Sequence, residues 1–184
     1  KMDARAWRYE MDAMRRAAKL GSEVMAETIE WIRPGVSELD VAAEIDYRMR
    51  RKGASGPSFD TIVASGPRSA LPHARPTAKR LQKSELVVLD LGAILAHYCS
   101  DLTRTVYLGR APAKVRRLYQ TVDRAQQAAL EALTAGVTTG AVDRAARGPG
   151  RHHRVAARGR LRLRARDPVR VDDGTRRMAG GRDR

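Results

Sequence analysis

The stretch from Val87 to Leu108 restricts the fold more than any other part of the chain. Two apolar runs rich in β-branched side chains, Val87 to Leu91 and Thr103 to Leu108, flank a short connection. That pattern predicts a pair of buried antiparallel strands. It also brings in two carboxylates, Asp90 and Asp101, where a core strand has no use for them. An ionised carboxylate buried alone is costly, so each needs a cation, a set of donors or an edge position. Eleven residues apart on neighbouring strands, the two aspartates can face one another across a pocket and grip the same metal centre.

The rest of the chain reads as helices and loops around this pair. Residues 3–33 read as a long amphipathic helix, with Met11, Met14, Ala18, Met25, Ile29 and Ile32 as its apolar stripe. Pro34-Gly35 stops it. Ser37 and Asp40 resemble a capping box that opens a second helix to about Lys52, buried along Val41, Ile45 and Met49. After a glycine-rich break, Ser58 to Ala64 reads as a strand. Residues 66–82 mix Gly, Pro and basic side chains without periodicity and read as a loop that carries His73 to the rim of a pocket. His97 reads as a solvated turn residue between the central strands. Pro112 opens a helix to about Thr134, with Val115, Leu118, Tyr119, Val122, Ala125, Ala129 and Leu133 on one face.

A repeat follows. Gly136-Val137-Thr138-Thr139-Gly140-Ala141-Val142-Asp143 echoes Gly35-Val36-Ser37-Glu38-Leu39-Asp40-Val41-Ala42 at an offset of 101 residues, each copy directly after a long helix. Two α+β halves of similar build are implied. The second copy then breaks at Gly148-Pro149-Gly150 and gives way to an arginine-rich tail.

Composition sets outer bounds. A hydrophobic fraction of 42 % and a mean hydropathy of -0.50 fit a soluble protein with one real core. No run approaches the roughly 18 to 20 apolar residues of a membrane span, and the first residues lack the apolar core of a secretion signal. Cys99 is the single cysteine; it excludes an internal disulfide, suits a reducing cytoplasm, and reads as a small buried side chain. The net charge of +15 is uneven, because residues 148–184 hold twelve arginines and four aspartates with no lysine or glutamate.

Asp90-x-Gly92 followed by Ser100-Asp101-x-Thr103-Arg104-Thr105 resembles the first half of the metal site of the M24 metallopeptidases, the pita-bread family of methionine aminopeptidases, Xaa-Pro aminopeptidases and prolidases. The likeness extends upstream through Gly56 to Gly66 and through Leu71-Pro72-His73-Ala74-Arg75-Pro76. The Pro-His-Ala-x-Pro wording resembles the Xaa-Pro branch. The resemblance implies an α+β fold: a partial pita-bread domain over residues 1–147, with a curved antiparallel sheet covered by helices. It implies hydrolysis of N-terminal Xaa-Pro bonds by a water bridging two divalent ions, commonly Mn2+ or Co2+, with Zn2+ or Fe2+ in some members. Asp90 would chelate one ion and Asp101 bridge both. His73 would contact the substrate near the scissile bond, and Thr103 and Arg104 would orient Asp101. The extra N-terminal domain common in that branch is expected to be absent.

The remaining ligands of that family, a histidine in a glycine-rich His-x-x-x-His stretch and two glutamates, have no counterpart here. His152 and His153 are adjacent and lack that context, and Asp167, Asp172, Asp173 and Asp183 match no glutamate motif. Two aspartates offer too few ligands for a dinuclear centre, so the chain is expected to be inactive as it stands. Two readings of residues 148–184 stand side by side: translation in the wrong frame, or a basic extension that binds nucleic acid. The absence of stacking aromatics and of any recognisable module favours the first. Either way the tail is expected to be disordered. A second class of function is a pita-bread module that binds peptides or proteins without catalysis; the presence of both aspartates with Ser100, Thr103 and Arg104 favours catalytic ancestry. A half-sheet would expose an apolar face and an unpaired edge, so poor solubility or association in isolation is expected.

Overall fold

Helix α1 (Ala4–Trp31) opens the chain in the computed structural model, which describes residues 4–148. The described residues form two compact units, 4–110 and 111–148. In the first, α1 and α2 (Glu38–Arg51) cover two antiparallel sheets. One is built in the order β1 (Gly56–Pro57), β4 (Ala93–Leu95), β5 (Tyr98–Cys99), and the other in the order β2 (Ile62–Ser65), β3 (Leu86–Leu91), β6 (Leu102–Tyr107). The second unit holds α3 (Ala113–Ala132) and α4 (Thr139–Arg147), packed as a pair. The fold is α+β. No described helix is long and apolar enough to cross a membrane.

The predicted strand pair is the centre of the first unit. β3 and β6 pair antiparallel over their full length, from Leu86 opposite Tyr107 to Leu91 opposite Leu102. Side chains alternate across a sheet, and in β3 the alternation is strict: Val87, Leu89 and Leu91 are fully buried, while Leu86, Val88 and Asp90 are half-exposed. The buried set joins Leu20, Val24, Val41, Ile45, Met49 and Val63 in one core. The connection between the strands is itself a small hairpin, β4–β5, closed by Ala96 and His97 at φ 49° and 68°. Two consecutive positive φ values make the two-residue turn that matches strand twist. His97 is exposed there, as a turn residue should be.

Helix α2 follows its sequence closely. The Ser37 hydroxyl accepts the Asp40 N–H at 3.1 Å, and the Asp40 carboxylate accepts the Ser37 N–H at 3.1 Å, a complete capping box. These bonds, led by one from the Ser37 hydroxyl, hold the Asp40 carboxyl below its ordinary value. Val41, Ile45 and Met49 are fully buried. The repeat is physical as well. Gly35 and Gly136 have φ of 97° and 86°, and Thr138 caps the Ala141 N–H as Ser37 caps Asp40. With alanine at the reciprocal position, the second copy keeps only half of the box.

Four expectations are corrected. Met14 is 42 % exposed and Ala18 is exposed; α1 instead buries a stripe through Ala13, Ala17, Leu20 and Val24. The helix needs a narrow face there, because a Cβ on Gly21 would come within 3.0 Å of the Ser100 hydroxyl. Cys99 is exposed rather than buried, since it lies between the inward Tyr98 and Ser100 and the pleat turns it outward. Ser58 to Ala64 is not one strand. The chain leaves the first sheet after Pro57 and joins the second at Ile62, and Ser58 and Thr61 spend their hydroxyls on the Ser100 carbonyl (2.8 Å) and the Asp46 carboxylate (2.9 Å). In α3, Thr121, Ala125 and Ala129 are buried while Leu118, Val122 and Leu133 are exposed, so the predicted face is covered only in part. Beyond Gly148 the arginine-rich tail, with His152 and His153, lies outside the described residues, and so do the expectations about its origin, order and partners.

Candidate metal centre

Strand parity places the two aspartates. Asp90 lies opposite Thr103 in the β3–β6 ladder, on the sheet face turned away from the core, and this takes the carboxylate out of the apolar interior. The Thr103 hydroxyl donates to Asp90 Oδ1 at 2.7 Å, which fixes one carboxylate oxygen and leaves the other to a different partner. Asp101 sits two residues before Thr103. It is the residue just before β6, whose first ladder pair is Leu102 with Leu91, so it enters the sheet beside the Asp90 end of β3. Asp101 is exposed and Asp90 half-buried, and both make interactions with other groups of the protein.

The turn between these residues is held from below. Ser100 is buried; its hydroxyl accepts the Ala93 N–H at 3.0 Å, and its own N–H donates to the Ala93 carbonyl at 2.9 Å. Gly92 has no room for a side chain, because a Cβ would overlap the Ser100 carbonyl oxygen, the Ser58 hydroxyl and the edge of the Phe59 ring. Asp90-x-Gly92 and Ser100-Asp101 are therefore two sides of one tightly packed crossing.

The expected supporting residues divide. Thr103 holds Asp90, whereas the sequence reading paired it with Asp101. Arg104 falls on the opposite face from Thr103, across from Leu89, and its guanidinium reaches the Thr103 carbonyl at 2.9 Å. His73 stands on a different element. It is exposed at the crest of the loop after β2, whose first residues, Gly66–Ala70, form a 3-10 turn. A shallow groove lined by Trp31, Val36, Asp40, Ala43, Glu44 and Tyr47 includes none of these residues.

Sequence reading missed Glu38, the most completely hydrogen-bonded carboxylate among the described residues. It is fully buried at the first position of α2. It accepts from the Ser65 N–H and hydroxyl at 2.9 Å each, from the Thr77 N–H at 3.1 Å and hydroxyl at 2.7 Å, and from Arg68 Nε at 3.1 Å. Burial pushes this carboxyl up, but the donors of Thr77 and Ser65 outweigh it and leave the group below its ordinary value. The only local signal was an acidic residue in a helix's first turn, which is commonplace.

With this build in view, the chain belongs to metallopeptidase family M24, whose family model matches residues 12–171. Its relatives include the Xaa-Pro dipeptidases of Pyrococcus furiosus, 43 % identical over 138 residues (75 % of this chain and 40 % of that protein), and of Pyrococcus horikoshii, 41 % identical over 138 residues (75 % and 39 %). Among solved structures, the X-Pro aminopeptidase from Thermotoga maritima superposes with a TM-score of 0.76 at 39 % identity, covering 79 % of this chain and 41 % of that one. The prolidase from Pyrococcus furiosus gives 0.75 at 41 % identity, covering 78 % and 43 %. The architecture is thus part of a pita-bread fold. The chain spans about two fifths of the length of the curated relatives it matches.

M24 peptidases are metal enzymes, so the donor set can be tested against a metal. Among the described residues no group of three or more His, Cys, Asp or Glu side chains converges to hold an ion. Divalent ions of this class want about four to six donors. Two carboxylates, one of them oriented by a threonine, do not by themselves fit a pair of ions.

Proposed function

We propose that residues 1–147 are the N-terminal half of an M24 catalytic domain whose whole form hydrolyses Xaa-Pro bonds of short peptides. Asp90 and Asp101 would supply two of the carboxylates that hold a pair of divalent ions, Mn2+ or Co2+ first and Zn2+ or Fe2+ next, and His73 would contact the substrate. The observation that carries this is the Asp90 carboxylate, turned out of the core and oriented by the Thr103 hydroxyl at 2.7 Å, with Asp101 in the residue just before β6, beside the tightly packed Gly92–Ser100 contact. A lineage without metal has no physical reason to keep two carboxylates and a dedicated donor there. The relatives named Xaa-Pro dipeptidase support the substrate class. Among the described residues no further ligands join these two, and on this reading the 184-residue chain would be inactive alone. A single exposed cysteine supports a reducing compartment, the cytoplasm.

The test has two parts. The purified chain with Mn2+ or Co2+ should release no amino acid from an Xaa-Pro dipeptide, and release would overturn the inactivity. The gene should then be resequenced and read in all three frames beyond the codon for Arg147. A frame with a His-x-x-x-His segment and later glutamates, joined to residues 1–147, should give dipeptidase activity that Asp90→Asn and Asp101→Asn each abolish. If no frame encodes those ligands, metal-dependent hydrolysis is the wrong reading.

A further inference from the structure

Glu38 raises a question that the metal site does not answer. A fully buried carboxylate is a costly way to start a helix, and a capping box is already in place beside it. Its five donors come from a particular set of places: Ser65 at the end of β2, Arg68 in the 3-10 turn, and Thr77 beyond the crest of the loop. Both feet of the 66–77 segment therefore stand on one carboxylate. Arg68 adds a cross-strap, with Nε on Glu38 and Nη2 on the Arg75 carbonyl, two residues past His73. The backbone N–H groups of Glu38 and Leu39 donate to the carbonyls of Lys79 and Thr77 at 3.0 and 3.1 Å, and Ser37 bridges Arg80, which laces the far foot along the helix start. Between the feet the segment has no strand partner, Leu71, Pro72 and His73 are exposed, and only Ala74 is buried beneath them. Remove the carboxylate, and the segment keeps one backbone bond at its far foot, from Leu39 N–H to the Thr77 carbonyl, the packing of its 3-10 turn on β2 and β3, and an exposed Arg75–Asp60 ion pair at 3.8 Å; the side-chain bonds that gather Ser65, Arg68 and Thr77 are lost.

We propose that Glu38 is a positioning residue that fixes the His73 loop from below. The role of His73 toward peptide rests on the function proposed above, whereas the anchorage of the loop does not. Glu38→Gln keeps the size of the side chain and one acceptor but loses the charge that gathers Arg68.

The experiment is amide hydrogen exchange on the full 184-residue chain, read by peptide over 66–77 and over 86–107. Glu38→Gln should speed exchange in 66–77 at least ten-fold while 86–107 changes less than three-fold. Because a buried substitution can fail to fold, Thr77→Val and Arg68→Gln remove single arms from the loop side and should each loosen 66–77 several-fold. Thr77→Ser, which keeps the hydroxyl, should restore protection. Equal acceleration in both regions, or no selective change in the folded variants, would overturn the proposal. Titrating an Ala-Pro dipeptide against the His73 ring signals in the parent protein separates the two readings. Saturable shifts that weaken in Thr77→Val support His73 as a substrate contact placed by this anchor. No shift in the parent counts against the substrate role, while exchange still decides the anchor.

Discussion

Replacing Gly92 by alanine should be among the most damaging single changes in this chain. A methyl group that fitted would add about 0.8 kcal/mol of burial. Here it meets three atoms at once: the Ser100 carbonyl oxygen, the Ser58 hydroxyl and the Phe59 ring edge. The Ser58 hydroxyl can rotate away only by giving up its 2.8 Å bond to the Ser100 carbonyl, a loss of about 1 kcal/mol. The carbonyl can retreat only by straining the 2.9 Å bond from Ser100 N–H to Ala93, which joins the Asp101 end of β6 to β4, about 1 kcal/mol more. Overpacking of the ring edge adds about 1–3 kcal/mol. The expected destabilisation is therefore about 3–5 kcal/mol. Urea unfolding followed by circular dichroism, with a slope of about 2 kcal/mol/M, should show a midpoint lowered by about 1.5–2.5 M at unchanged slope. A shift below about 0.3 M would refute the reasoning, since it would mean that the crossing has room for a methyl group.

Other outcomes follow from the same structure. Thr103→Val keeps the β-branched shape but removes the 2.7 Å bond to Asp90; it should cost about 1–2 kcal/mol in the same urea assay, and Thr103→Ser should restore most of it. Glu38 titrates lower in the folded chain than in the unfolded one, so its contribution is fully present above the ordinary glutamate pKa of about 4.3. It fades as pH falls through the lower folded value. Unfolding free energy measured from pH 6 downward, with Arg68, Lys79 and Glu85 as the charged neighbours of the network, should lose part of its acid slope in Glu38→Gln. Gly140→Ala has only the flexible Arg144 guanidinium at 3.5 Å to meet; it should steady α4 by about 0.5–1 kcal/mol, read as slower amide exchange over Thr139–Arg147.

The difference between what was legible and what was not follows from the range of the forces. Helix α2 was readable because a capping box and a three- and four-residue apolar period act within one or two turns of chain. The β3–β6 pair was readable because a strand buried on one face and joined by a short turn has few other partners, and the motif around Asp90 and Asp101 lies within it. The stripe of α1, the outward turn of Cys99 and the break at Ser58 to Thr61 depended instead on what came to lie opposite them: the Ser100 hydroxyl under Gly21, the pleat of a short β5, a crossing between sheets.

By itself the sequence determined helix α2, the pairing of β3 with β6, and the presence of two carboxylates and a histidine in a peptidase-like pattern. Only the tertiary structure decided which sheet face Asp90 occupies, which carboxylate Thr103 holds, and that Glu38 gathers three separated segments. Period and capping are properties of neighbours along the chain. A buried carboxylate with donors from residues 65, 68 and 77 is a property of neighbours in space, and no local pattern carries it.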